Sequence, residues 1–176
     1  MTIRIEARIA GLLCIAFASA DAQNNLTTTA TQRYFNVVRQ NLEGSVDVMP
    51  ADKYSFRLTP GQRTFAEWIV HSIQRNYTDC STLKSEPVPD GEKQAPSLKE
   101  KAEVSKALKD SFAYCASALA SVDDQKVLST PQMSNAFLHL VVHSNEIYGN
   151  IVGYLRASGI VPPSTAARPA PKKTNQ

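Results

Sequence analysis

The chain has 176 residues, 43% of them hydrophobic, and a formal net charge of +3. That length suits one domain with a sizeable core. Arg168, Lys172 and Lys173, in a tail with no acidic residue, account for the basic balance, which excludes a nucleic-acid-binding face built on charge. No Gly-rich phosphate loop, serine nucleophile elbow or internal repeat occurs, so nucleotide-cradling and serine-hydrolase chemistries lack their usual carriers.

Residues 1–22 carry the order of a secretory signal peptide. Arg4 and Arg8 precede the apolar run IAGLLCIAFASA, which ends in small residues at Ala18 and Ala20, with Ala22 close behind. The run is shorter than the roughly 20 apolar residues a membrane-spanning helix needs. Leu13 before Cys14 is too large for a lipid-attachment site. The mature protein is therefore expected to be exported, periplasmic or extracellular, with no transmembrane segment after cleavage.

Prolines divide the remainder, and four proline-free windows show apolar residues at three- and four-residue steps. The first helix is predicted over about Thr28 to Val48, with Tyr34, Phe35, Val38, Leu42, Val46 and Met49 as its stripe. The second starts after an N-cap at Thr64 and ends near Leu83, with Phe65, Trp68, Ile69, Ile73, Tyr77 and Cys80 inward. Ser97-Leu98-Lys99-Glu100 reads as a capping box opening the third, which buries Val104, Leu108, Phe112, Cys115 and Leu119. Thr130-Pro131 caps the fourth, whose stripe from Met133 to Leu155 stops at Gly159. No window alternates as a half-buried strand would. The expected fold is an all-α four-helix bundle over residues 28–165, with a disordered tail over 166–176.

The connection KSEPVPDGEKQAP between the second and third helices is long enough to cross the bundle, which permits those helices to run parallel. Two cysteines remain in the mature chain, Cys80 and Cys115. In an oxidising compartment an even pair invites a disulfide, whereas buried free thiols are the alternative. Parallel neighbouring helices would bring the two to one level; antiparallel ones would keep them apart.

The three histidines are His71, His139 and His143. His143 falls on the apolar stripe of the fourth helix and His139 lies one turn earlier at its edge. Imidazoles at i and i+4 stack on one helix face and can share a metal, with His71 the available third ligand. Two buried, hydrogen-bonded core histidines would give the same spacing.

Two stretches, YSFRLTPGQRTFAEWIVHSIQRNY (54–77) and HSNEIYGNIVGYLRASGIVPPST (143–165), together resemble the DinB-like superfamily, including its secreted bacterial members. The resemblance spans roughly residues 30–165. It implies a four-helix bundle with parallel second and third helices, and supports a Cys80–Cys115 bridge. It also implies one divalent metal, zinc or nickel in type, held by a histidine of the second helix and two of the fourth, four residues apart. His71 and His143 match two of those positions. The third falls at Ile147, which cannot ligate. His139, one turn earlier, or Glu146, at i+3 from His143, would have to replace it.

Two functions follow as expectations. One is an exported binding or structural module with a degenerate metal site, whose partner is a small molecule or an envelope protein and which leaves homodimerisation open. The other is a divalent-metal-dependent enzyme of thiol-transferase or hydrolase type, using His71 and His143 with His139 or Glu146.

Overall fold

The computed structural model describes residues 25–167. The predicted signal peptide (1–22) and residues 168–176 of the predicted tail lie outside them. Among the described residues the chain is helical, with no strand, and no helix is long and apolar enough to cross a membrane. Four long helices carry the structure: α1 (Leu26–Val48), α2 (Phe65–Lys84), α3 (Lys101–Ala120) and α4 (Pro131–Ala157). Short helical turns lie between and after them at Ala51–Lys53, Gly91–Gln94, Ala95–Ser97, Asp124–Val127 and Pro163–Ala166.

One apolar core draws on all four helices. Phe35 and Leu42 of α1, Ile69 and Ile73 of α2, Leu108 and Phe112 of α3, and Leu140 and Ile151 of α4 are fully buried or nearly so. Burying one such side chain stabilises by about 1.5–3 kcal/mol, so this stripe-to-stripe packing is the main source of helix stability. Phe35 and Phe112 meet edge-on, ring centroids 5.7 Å apart. Tyr34 departs from the predicted stripe: it is 65% exposed. Its neighbour Phe35 already occupies the core side, and successive residues on a helix do not share a face.

The helix ends follow local chemistry. Thr64 caps α2: its hydroxyl accepts from the Glu67 amide at 3.1 Å, and the Glu67 carboxylate accepts from the Thr64 amide at 2.6 Å. Thr130 caps α4 by accepting from the Met133 amide at 3.2 Å, with Pro131 at the first position. Gly159, at φ +75°, ends α4, where the Ile160 amide donates back to the Leu155 carbonyl. The start of α3 differs from expectation. Ser97 belongs to the Ala95–Ser97 turn and donates to the Gln94 carbonyl, so the helix begins later, capped by Glu100 with Glu103. Pro96 shifts the register by fixing this turn ahead of the helix.

The α2–α3 connection packs on α2 rather than hanging free. Ala95 is buried, Gln74 donates to Glu92 at 3.0 Å, and Gly91 sits so close to Tyr77 that a Cβ there would lie 2.8 Å from the ring. Cys80 and Cys115 form a disulfide between α2 and α3, with Cα atoms 5.2 Å apart and both residues fully buried. One turn earlier on both helices, the Asn76 amide donates to the Ser111 hydroxyl at 3.0 Å. Beyond the end of α3, the Asp124 carboxylate accepts from the Thr27 and Thr28 amides, which opens α1 without a cap of its own. Pro163, in the last helical turn, approaches Gly44 of α1.

Candidate functional site

His71 lies two turns into α2, and His143 faces it from α4. Their Nε2 atoms are 3.0 Å apart and their rings are perpendicular. The other ring nitrogen of His143, Nδ1, is 2.9 Å from the Glu146 carboxylate. A carboxylate accepts only, so His143 donates to it through Nδ1–H. The bond between the two Nε2 atoms takes one proton, carried by one of the two rings. His71 is also held neutral: its pKa is pushed down to about 4, first by burial and then by the nearby charges of Arg63, His143 and Arg75, with Glu146 opposing. The pair is thus a hydrogen bond between the two imidazoles, with the His71 ring neutral.

His139 is drawn into a different set of contacts. Its Nδ1 is 2.7 Å from Asp79, which is almost fully buried and also accepts from Arg75 at 3.1 Å. The His139 and His143 rings stack, centroids 4.7 Å apart and 21° from parallel. Asp79 had no signal of its own in the sequence. Its only mark is a position one residue before Cys80, on the side of α2 that meets α4.

This geometry tests each expected ligand. Glu146 holds the edge of His143 that faces away from His71, so it orients the ring instead of joining the His71 side. His139 and His143 are nearly parallel, and in-plane lone pairs on stacked rings do not converge at the roughly 2.0–2.1 Å a zinc–nitrogen bond requires. Ile147 is packed into the core. Among the described residues no three His, Cys, Asp or Glu side chains are grouped to hold one metal ion. His71 and His143 alone offer nitrogens to a shared point, and tetrahedral zinc would need them to part to roughly 3.3–3.4 Å.

Beside His71 opens a cleft of about 710 Å³. Its walls are the segment 54–64, the first half of α2 and the residues around Leu98. Tyr154 anchors that first wall. Its hydroxyl accepts from the Trp68 indole at 3.2 Å and donates to the Arg63 carbonyl, while the Arg63 guanidinium lies 4.9 Å over the Trp68 ring. Tyr54, also in the wall, is not an available acid: its hydroxyl donates to the Val46 carbonyl and burial pushes its pKa up.

Compared with protein-family models, with curated proteins and with solved structures, the chain matches none.

Proposed function

We propose that the chain is an exported four-helix bundle of DinB-like type that works as a small-molecule-binding module, its ancestral metal position reduced to a histidine–histidine hydrogen bond. The observation that carries this reading is the His71–His143 contact at 3.0 Å with Ile147 buried where a third imidazole would stand. Two imidazoles that hydrogen-bond to each other need no ion between them. Support for parallel α2 and α3 comes from Asn76–Ser111 and Cys80–Cys115: each pair is separated by 35 residues, and a constant offset is what co-directional helices produce. Support for export comes from that disulfide together with the N-terminal signal-peptide pattern.

One observation favours a second reading, a divalent-metal enzyme. A carboxylate on the far nitrogen of a histidine, as Glu146 is on His143, is how metal-bound imidazoles are commonly oriented. In that reading His71 and His143 would hold zinc or nickel, which when bound lowers the pKa of a coordinated thiol or water.

Metal content decides between the two. The mature chain, purified without a histidine tag and incubated with Zn²⁺ or Ni²⁺, is expected to retain metal far below one ion per chain. Retention of one ion per chain, lost in both His71→Ala and His143→Ala, would overturn the module reading and establish the enzyme-type centre.

A further inference from the structure

The cleft beside His71 is lined unevenly. Arg57 and Arg63 come from the segment 54–64, and Lys99 comes from the opposite wall. Glu67 is the only carboxylate among the lining residues, and it is already engaged by the Thr64 amide at 2.6 Å and by Arg57 at 3.7 Å. Arg57 and Lys99 both help to lower the Glu67 pKa, behind the larger effect of its bond to the Thr64 amide, and Arg63 lowers that of His71. The fields of all three cations therefore overlap in the space they enclose. His71 contributes no compensating charge, and Ala66, Val70 and Leu98 supply an apolar wall.

We propose that this cleft binds a small organic anion, a carboxylate or a phosphate ester with a short apolar body. The volume lies within the roughly 300–1,000 Å³ typical of small-ligand sites. The first amides of α2 do not form the anion site. Phe65 and Ala66 donate to the Phe56 and Tyr54 carbonyls, Glu67 to the Thr64 hydroxyl, and Trp68 to the Thr64 carbonyl. Recognition therefore falls to the side chains. Arg63 is the best prepared of them, because stacking on Trp68 and the Tyr154 bond to its carbonyl limit its freedom before any ligand arrives.

This inference rests on the binding-module reading and deepens it, and its test is run with a chelator present so that the two can fail separately. The untagged, disulfide-intact chain is titrated with phenylacetate, phenyl phosphate and, as the uncharged control, benzyl alcohol, while ¹H–¹⁵N spectra are recorded. At least one anion is expected to saturate, shifting the amides of Arg57, Val70 and Lys99, and benzyl alcohol is expected not to. The anion that saturates identifies the head group. Arg57→Gln with Lys99→Gln, both on exposed side chains, is expected to weaken that binding about tenfold or more, and Arg57→Gln alone by less. Failure of both anions to saturate, equal binding of all three probes, or unchanged affinity in the double variant would overturn the proposal. Metal uptake measured separately bears only on the histidine pair: an anion that binds the chelated chain stands whichever way that result falls.

Discussion

Glu146 and His71 hold opposite nitrogens of one ring, that of His143, at 2.9 and 3.0 Å. The ring is therefore fixed in rotation, and it is aimed at the one point where α2 and α4 present imidazoles to each other. Ile147, one turn further along α4, is buried beside it.

Ile147→His should supply the third imidazole. Without metal the variant is expected to be less stable by about 1–3 kcal/mol, because a polar ring enters an apolar site. Added Zn²⁺ should raise its thermal midpoint well above that of the metal-free variant, with little effect on the parent. In the same background Glu146→Gln should weaken zinc binding by about 10–100-fold. A thermal midpoint for Ile147→His that ignores zinc would mean that positions 71, 143 and 147 do not converge.

His71 gives stability a pH dependence of definite sign. Its folded pKa of about 4 lies below the 6.5 of an unperturbed histidine, so between the two the unfolded chain binds more protons. The contribution is fully present above about pH 6.5 and is lost as pH falls toward 4. Glu67, whose pKa is lowered from 4.5 chiefly by its bond to the Thr64 amide, acts below most of that window. Urea midpoints at pH 7 and pH 5 should differ more for the parent than for His71→Gln. Equal differences would show that His71 is not the titrating group.

Reduction of Cys80–Cys115 releases a 35-residue span. In the chain-entropy model this costs about 3–4 kcal/mol, and a chain of this size should melt roughly 10 °C lower. Paired cysteine-to-serine substitution, followed by calorimetry, should reproduce the loss. A shift of only a degree or two would mean that packing of α2 on α3 already restrains the unfolded chain.

Tyr154→Phe removes a hydroxyl that accepts from Trp68 and donates to the Arg63 carbonyl. The expected cost is about 1–3 kcal/mol, since two partners lose their bond at once. Hydrogen exchange should speed up selectively in residues 57–64, ahead of the rest of the chain. Uniform acceleration would instead indicate global destabilisation.

Much of the helical framework was legible in the sequence because its signals are local. Thr64 and Thr130 cap where they should, Gly159 stops α4, and the stripes on α3 and α4 are the buried faces. Where two local signals competed, one misled: Ser97 has the capping-box spacing, but Pro96 ties it into an earlier turn. The site was legible only in part. Spacing nominated His71, His139 and His143, yet it could not show that Glu146 takes the far edge of His143 or that buried Asp79 draws His139 away. Those outcomes depend on which ring nitrogen faces which helix, and no one-dimensional pattern encodes that. The cationic cleft had no sequence signal either, because Arg57, Arg63 and Lys99 meet only after the segment 54–64 and the region around Leu98 fold against α2.

Trp68 is the chain's single tryptophan. Its indole lies beneath the Arg63 guanidinium, is bonded to Tyr154, and has the His71 ring 6.2 Å away. An indole's emission responds to nearby charge and is quenched by a protonated imidazole. The molecule therefore carries its own optical reporter at the junction of cleft and histidine pair. Intrinsic fluorescence, followed through an acid titration and then through an anion titration, would read both events in the unlabelled protein.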